Sequence, residues 1–136
     1  MKRIALDTNV TISAFFWNGS PRNIYNLVKE KKVLLLSSPE IEKELIRVLS
    51  YSRFGLTPSQ ILPLVNDLRK HSNFIEVKLK IDVIKEDPTD NIFLECAIDG
   101  KADYIISGDH HLLNIGNYKR IRIIKAKDFL IKEGFI

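Results

Sequence analysis

Short apolar runs alternate with helical stripes along this chain. Residues 3–7 (Arg-Ile-Ala-Leu-Asp) open it with an uninterrupted apolar run, the pattern of a strand covered on both faces. Ser20-Pro21 then signals a helix start, a capping hydroxyl followed by proline at the first helical position. Ile24, Leu27 and Val28 fall at i, i+3 and i+4 and give that helix one apolar face. Val33-Leu34-Leu35-Leu36 reads as a second buried strand. Ser38-Pro39 repeats the start signal ahead of a stripe formed by Ile41, Leu45, Val48 and Leu49.

Thr57 and Gln60 are spaced as a capping box, and Pro63 inside the following stretch predicts a kink or a later start. A further strand is predicted near Phe74 to Val77. Asp90 opens a helix whose buried face is Ile92, Phe93, Cys96 and Ala97, with Gly100 as its stop. Residues 102–109 and 120–125 read as strands, and a short helix over 128–132 closes the chain. Strands separated by helices predict an α/β fold with a mostly parallel sheet and helices on both faces.

Composition narrows the class. The 136 residues carry 21 Lys+Arg against 17 Asp+Glu, a formal net charge of +4, with 45% hydrophobic and 28% charged residues. That is one domain's worth of globular sequence, so residues 1–136 are read as a single domain and whole-chain disorder is excluded. One cysteine, Cys96, excludes a disulfide framework and suits a reducing compartment. No apolar run approaches the ~20 residues of a membrane span, and the N-terminal run is too short for a signal-peptide core. The expectation is a cytoplasmic protein with no membrane partner. The mild basicity permits a nucleic-acid partner without requiring one.

The acids are the informative feature. Asp7 follows Ile4-Ala5-Leu6 directly, and Asp109 follows Tyr104-Ile105-Ile106-Ser107-Gly108. Both therefore stand at carboxyl ends of predicted strands, where open parallel sheets bind ligands. Asp90 reaches the same edge if its helix packs beside the first strand. Close carboxylates repel, so such a group either shares protons or holds a cation. Each acid also has a plainer reading: Asp90 as a helix cap, Asp7-Thr8-Asn9 as a turn, Asp109 as a cap before His110-His111. On the residues alone both readings stand.

At these positions the sequence resembles a known family. "ALDTNV", "SSPEIEKELIRVL", "DPTDNIFLECAIDGKADYIISGDHHLL" and "IRIIKAKDFL" together look like a PIN domain, most of all the branch of toxin components related to VapC. The resemblance runs from Ile4 to Leu130. It implies a three-layer α/β/α fold like that of 5′ nucleases, with a central mostly parallel sheet. It also implies an acidic site that takes Mg²⁺ or Mn²⁺ and cleaves RNA. Carried over by position, Asp7, Glu44, Asp90 and Asp109 match the four family acids, with Asn9 and Ser107 as supporting polar positions. Glu40 competes with Glu44 for the second place, a helical turn away on the same face. Glu40 and Glu42 are explained by the first turn of their helix and Glu44 is not, which favours Glu44. Arg47, three residues on, is a candidate contact to substrate phosphate. The chain departs from many relatives at "IKAKDF", where a Thr or Ser followed by Pro is usual.

The implied chemistry accounts for the acids. A bare carboxylate cluster repels a phosphodiester, whereas hard oxygen ligands gather a divalent ion that reverses the local charge. The resemblance further implies an antitoxin partner and a homodimer. A fold-retaining, non-cleaving RNA- or protein-binding module is the alternative; loss of one acid would favour it, and all four have matches. A phosphoacceptor receiver domain and a dehalogenase-like phosphatase both want an acidic pair after the first strand, which Asp7-Thr8-Asn9 lacks. His110-His111 are read as non-ligands, because neighbours on a helix point about 100° apart and magnesium prefers oxygen. Cys96 is read as core, Phe15-Phe16-Trp17 as core or helix edge with base stacking by Trp17 the minority reading, and Asp87 as a turn residue.

Overall fold

The computed structural model describes residues 1–85 and 87–136. In chain order the elements are β1 (Arg3–Leu6), α1 (Thr8–Phe16), α2 (Ser20–Lys29), β2 (Leu34–Ser37), α3 (Pro39–Leu49), α4 (Pro58–Lys70), β3 (Ser72–Phe74), α5 (Asn91–Asp99), β4 (Tyr104–Ile106), α6 (His110–Ile115), β5 (Asn117–Tyr118), β6 (Ile121–Ile124) and α7 (Ala126–Lys132). Single 3₁₀ turns at Ser52–Phe54 and Pro88–Asp90 precede α4 and α5. The sheet order is β3-β2-β1-β4-β6-β5, parallel throughout except for β5 against β6.

Strand pleating sorts the apolar runs into two cores. Ile4, Leu6, Leu35, Tyr104 and Ile106 face one way and meet α1, α2, α3, α4 and α7. Ala5, Leu36, Ile105 and Ile123 face the other way and meet α5, with Ile41 of α3 and Leu112 of α6. Alternate residues enter opposite cores because successive side chains on a strand point to opposite faces. This is the predicted mostly parallel α/β/α arrangement, with each central strand apolar on both sides.

Register sets the site. Ala5 pairs with Leu36 on one side and Ile105 on the other, and Leu6 pairs with Ile106. The chain builds outward from β1 to β2 and β3, then returns to place β4 on the opposite side of β1. The order therefore reverses between β1 and β4, where parallel sheets leave a crevice at their carboxyl edge.

Several elements differ from the sequence reading. The α1 helix was not expected: Val10, Thr11, Ile12 and Ala14 are all buried, so it lacks the polar–apolar alternation that marks a surface helix. Ser20 does not cap α2; it is the first helical residue, and Gly19 holds the cap at φ 142°. The α4 helix begins at Pro58 and runs through Pro63 without a later start; Pro63 and Ser59 lie on its exposed side, where water can serve the orphaned carbonyl. The predicted strand at 74–77 is shifted to Ser72–Phe74. Ile75 still donates to Ser37 O at 2.8 Å before the chain leaves the sheet. The short β5 was also missed. Lys119 and Arg120 turn it into β6 with φ 47° and 71°, a left-handed two-residue turn without glycine.

Gly100 does end α5, though not by a left-handed φ. A Cβ there would meet Cys96 O at 2.9 Å, Leu36 Cδ1 at 2.9 Å and Ile75 Cγ1 at 3.0 Å. Close packing against the sheet demands the glycine. Gly100→Ala should lower stability by about 1–3 kcal/mol, read as a reduced urea midpoint. An unchanged midpoint would show that this corner can relax. Among the described residues no helix is long and apolar enough to cross a membrane.

Candidate functional site

Asp7 is the residue after β1 and caps α1. Its Oδ1 accepts from Val10 N at 2.8 Å, and its own N–H continues the sheet ladder to Ile106 O at 3.1 Å. The ladder sets Asp7 beside Ser107, whose fully buried hydroxyl donates to Asp7 Oδ2. The same oxygen of Ser107 accepts from Asp109 N at 3.0 Å. One serine thus holds the Asp7 carboxylate and the Asp109 amide beyond the ends of neighbouring strands.

Asp90 ends the 3₁₀ turn ahead of α5, and α5 packs against β1, so the third acid arrives at the same edge. Its side chain caps nothing, nor does that of Asp109 at the start of α6. The plainer cap readings fail at both positions. Glu44 comes in from α3, with Arg47 one turn on gripping both its carboxylate oxygens, Nε at 3.0 Å.

These groups line one cleft of about 290 Å³. Its walls are Asp7, Thr8, Asn9, Glu44, Arg47, Val48, Asp87, Thr89, Asp90, Phe93 and Asp109. All four candidate acids are there, with Asn9 and Arg47. Glu44 lines this cleft and Glu40 does not.

Electrostatics in the cleft are unsettled by design of the donor set. Burial, then contact with Asp109 and the charges of Asp87, Asp109 and Asp7, pushes the Asp90 carboxyl up to about 8. Burial also raises Asp7, against the lowering effect of the Ser107 and Val10 hydrogen bonds. Asp90 Oδ2, Asp109 Oδ2 and Thr8 Oγ1 are buried without a hydrogen-bond partner, as is Glu40 Oε1 on α3. Buried acceptors of this kind normally find donors. Unpaired carboxylate oxygens converging from separate elements fit a hard divalent cation.

Three features escaped the sequence reading. Asp87 lines the cleft as well as shaping the turn, where Thr89 Oγ1 donates to its Oδ1 at 2.6 Å. The spacing Asp87-Pro88-Thr89-Asp90, two acids on one turn, was the available signal. His110 and His111 do not diverge: their rings stand 4.0 Å apart, and with Asp109 they offer atoms all within 4.8 Å of one another.

The third feature is a polar row on α5. Asn91 Oδ1 accepts from Val83 N at 3.1 Å and Ile84 N at 2.9 Å, Glu95 from Ile81 N at 3.0 Å, and Asp99 from Lys78 N and Leu79 N at 2.8 and 3.0 Å. Spaced by four, they hold residues 78–84 as a strap along one helix face. Asn91 Nδ2 donates in turn to Ile84 O and Pro88 O, both at 3.0 Å, which anchors the turn carrying Asp87 and Asp90.

Residues 3–111 match the family model described as PIN domain. The chain belongs to the PIN-domain family. PIN domains are generally metal-dependent nucleases, and the cleft lies in the matched portion. An uncharacterized protein of Methanocaldococcus jannaschii is 32% identical over 132 residues, covering 92% of this chain and 84% of that protein. In this PIN domain Ser107→Ala would free Asp7 Oδ2 and the Asp109 amide together. We expect a 10–100-fold loss of metal affinity, measured by calorimetry, with the circular dichroism spectrum kept. Unchanged affinity would remove Ser107 from the site.

Proposed function

We propose that this PIN domain is a metal-dependent endoribonuclease using Asp7, Glu44, Asp90 and Asp109. The observation that supports this most is the pair of buried, unpartnered oxygens on Asp90 and Asp109 within a cleft lined by all four acids. Asp7, Asp90 and Asp109 would hold Mg²⁺ or Mn²⁺, with Glu44 available to a second ion or to the nucleophilic water. When bound, such a cation neutralises the scissile phosphate and activates a water for in-line attack.

The chain's own contribution is orientation. Val10 N–H and Ser107 hydroxyl fix the two oxygens of Asp7, and the Ser107 oxygen fixes the backbone of Asp109. Arg47 restrains Glu44 while presenting an exposed positive charge at the rim. The Asp90 carboxyl holds a proton near neutrality until the site is loaded. The toxin role, an inhibitory antitoxin and homodimerisation are proposed from the VapC-like resemblance of the sequence blocks.

The test is cleavage of mixed total RNA by wild type and Asp7→Asn, each with Mg²⁺, Mn²⁺ or chelator. Discrete fragments from wild type with metal, and none from a folded variant or in chelator, are expected. Equal cleavage by Asp7→Asn would remove the acid site from the reaction.

A further inference from the structure

A track of aromatic and guanidinium groups leads away from the acid cleft. Arg47 lines the cleft and donates to the Tyr51 hydroxyl, with its guanidinium 5.4 Å from that ring's centre. Arg53 lies over Tyr51 at 5.4 Å and over Phe54 at 4.9 Å. Phe54 stacks on Phe16 at 6.4 Å with 18° between planes, and Phe16 meets Trp17 edge to face at 5.9 Å. The track is anchored twice, since α1 starts at the cleft with Thr8 and ends with Phe16, about 12 Å along its axis.

Phe54 packs part-buried against the core, and the rings of Phe16, Trp17 and Tyr51 reach outward from it. Trp17 is 57% exposed and Tyr51 38%. Of the five N–H groups of Arg47, three are taken by Glu44 and Tyr51, leaving two for a ligand. Flat rings alternating with cations are what an unpaired nucleic-acid strand requires: faces for its bases and charges for its phosphates. A duplex hides its base faces and has no use for the rings.

We propose that Arg47, Tyr51, Arg53, Phe54, Phe16 and Trp17 form a stacking track that holds the unpaired strand flanking the scissile phosphate. The proposal deepens the nuclease reading and rests on it, by making unpaired bases beside the cut a condition of binding. Trp17 supplies the open ring, Tyr51 a part-exposed ring flanked by both guanidiniums, Phe54 and Phe16 back them, and the two arginines meet the phosphates. Because every base has a stacking face, the track tolerates sequence.

Trp17 is the chain's one tryptophan, so its emission reports the track directly. The titrants are eight-nucleotide oligo-U and oligo-A, a duplex of that length, and the matching single-stranded DNA, all in chelator so that nothing is cut. Saturable quenching by both single-stranded RNAs, with duplex at least about tenfold weaker, is the expected result. Tyr51→Ala should weaken binding about tenfold and Tyr51→Phe should restore it. Arg53→Ala should reduce the salt slope by about one unit. Quenching by RNA and not DNA assigns the track to RNA; quenching by both assigns it to either strand.

No saturable quenching, equal affinity for duplex, or wild-type binding by Tyr51→Ala would overturn the track. So would Trp17 quenching that follows protein concentration alone, since it would make this face a contact between copies. Binding in chelator is independent of cleavage. Quenching without any cleavage of total RNA would fault the nuclease reading, and cleavage without quenching would fault the track.

Discussion

Asp90→Asn should stabilise the metal-free protein at pH 8 while removing its cleavage of RNA. In the folded chain the Asp90 carboxyl sits at about 8 rather than near the ordinary 3.8, because burial and three neighbouring acids disfavour its charge. Between those values the folded protein keeps a proton that the unfolded chain has released. Stability from this group is therefore complete below about pH 4, falls as pH rises, and is lost above about pH 8. Asparagine imitates the protonated form at every pH. The gain over wild type should be small at pH 5 and reach about 1–2 kcal/mol at pH 8, reduced from the full shift because the group is half open to water.

Adding Mg²⁺ should reverse the ranking, since only wild type gains the stabilisation that binding confers. Thermal melts at pH 5 and pH 8, in chelator and in excess Mg²⁺, check each step. A variant no more stable than wild type at pH 8 in chelator would refute the crowded-acid account of Asp90.

The second large effect is expected away from the acids. Asn91 is buried, and its amide makes four hydrogen bonds to the backbone of Val83, Ile84 and Pro88. Asn91→Leu keeps the branched shape, though not the volume, and leaves those four backbone groups without partners. At the usual cost of unpaired buried groups, stability should fall by about 3 kcal/mol, roughly 10 °C in melting temperature. Cleavage should fall as well, because the turn holding Asp87 and Asp90 loses its anchor. A denaturant midpoint within experimental error of wild type would show that the strap is held by its apolar contacts instead.

The legible part of this molecule is the part governed by local periodicity and by acids at strand ends. Leu34–Ser37 and Ile121–Ile124 could be read because strands buried on both faces leave continuous apolar runs. Asp7 and Asp109 could be placed because each follows such a run, although the convergence with Glu44 came from the family resemblance and not from spacing. What could not be read depends on contacts distant in sequence. The α1 helix is apolar around most of its circumference because it is enclosed between sheet and helices. The Asn91, Glu95 and Asp99 row looks like an ordinary polar face until the strap is seen lying on it. Asp87 looked like punctuation before a proline because nothing local reveals that the turn faces Asp109 and Asp7.

Residues 78–84 belong to no strand, yet five of their amides donate to side chains of one helix. In deuterium labelling the amides of Lys78, Leu79, Ile81, Val83 and Ile84 should exchange slowly despite lying in an irregular loop. They should also exchange together, at the rate at which α5 detaches, since all their acceptors leave with that helix. A cation bound at Asp90 would slow them too, so that loading of the cleft becomes visible in labels carried by the far end of the strap.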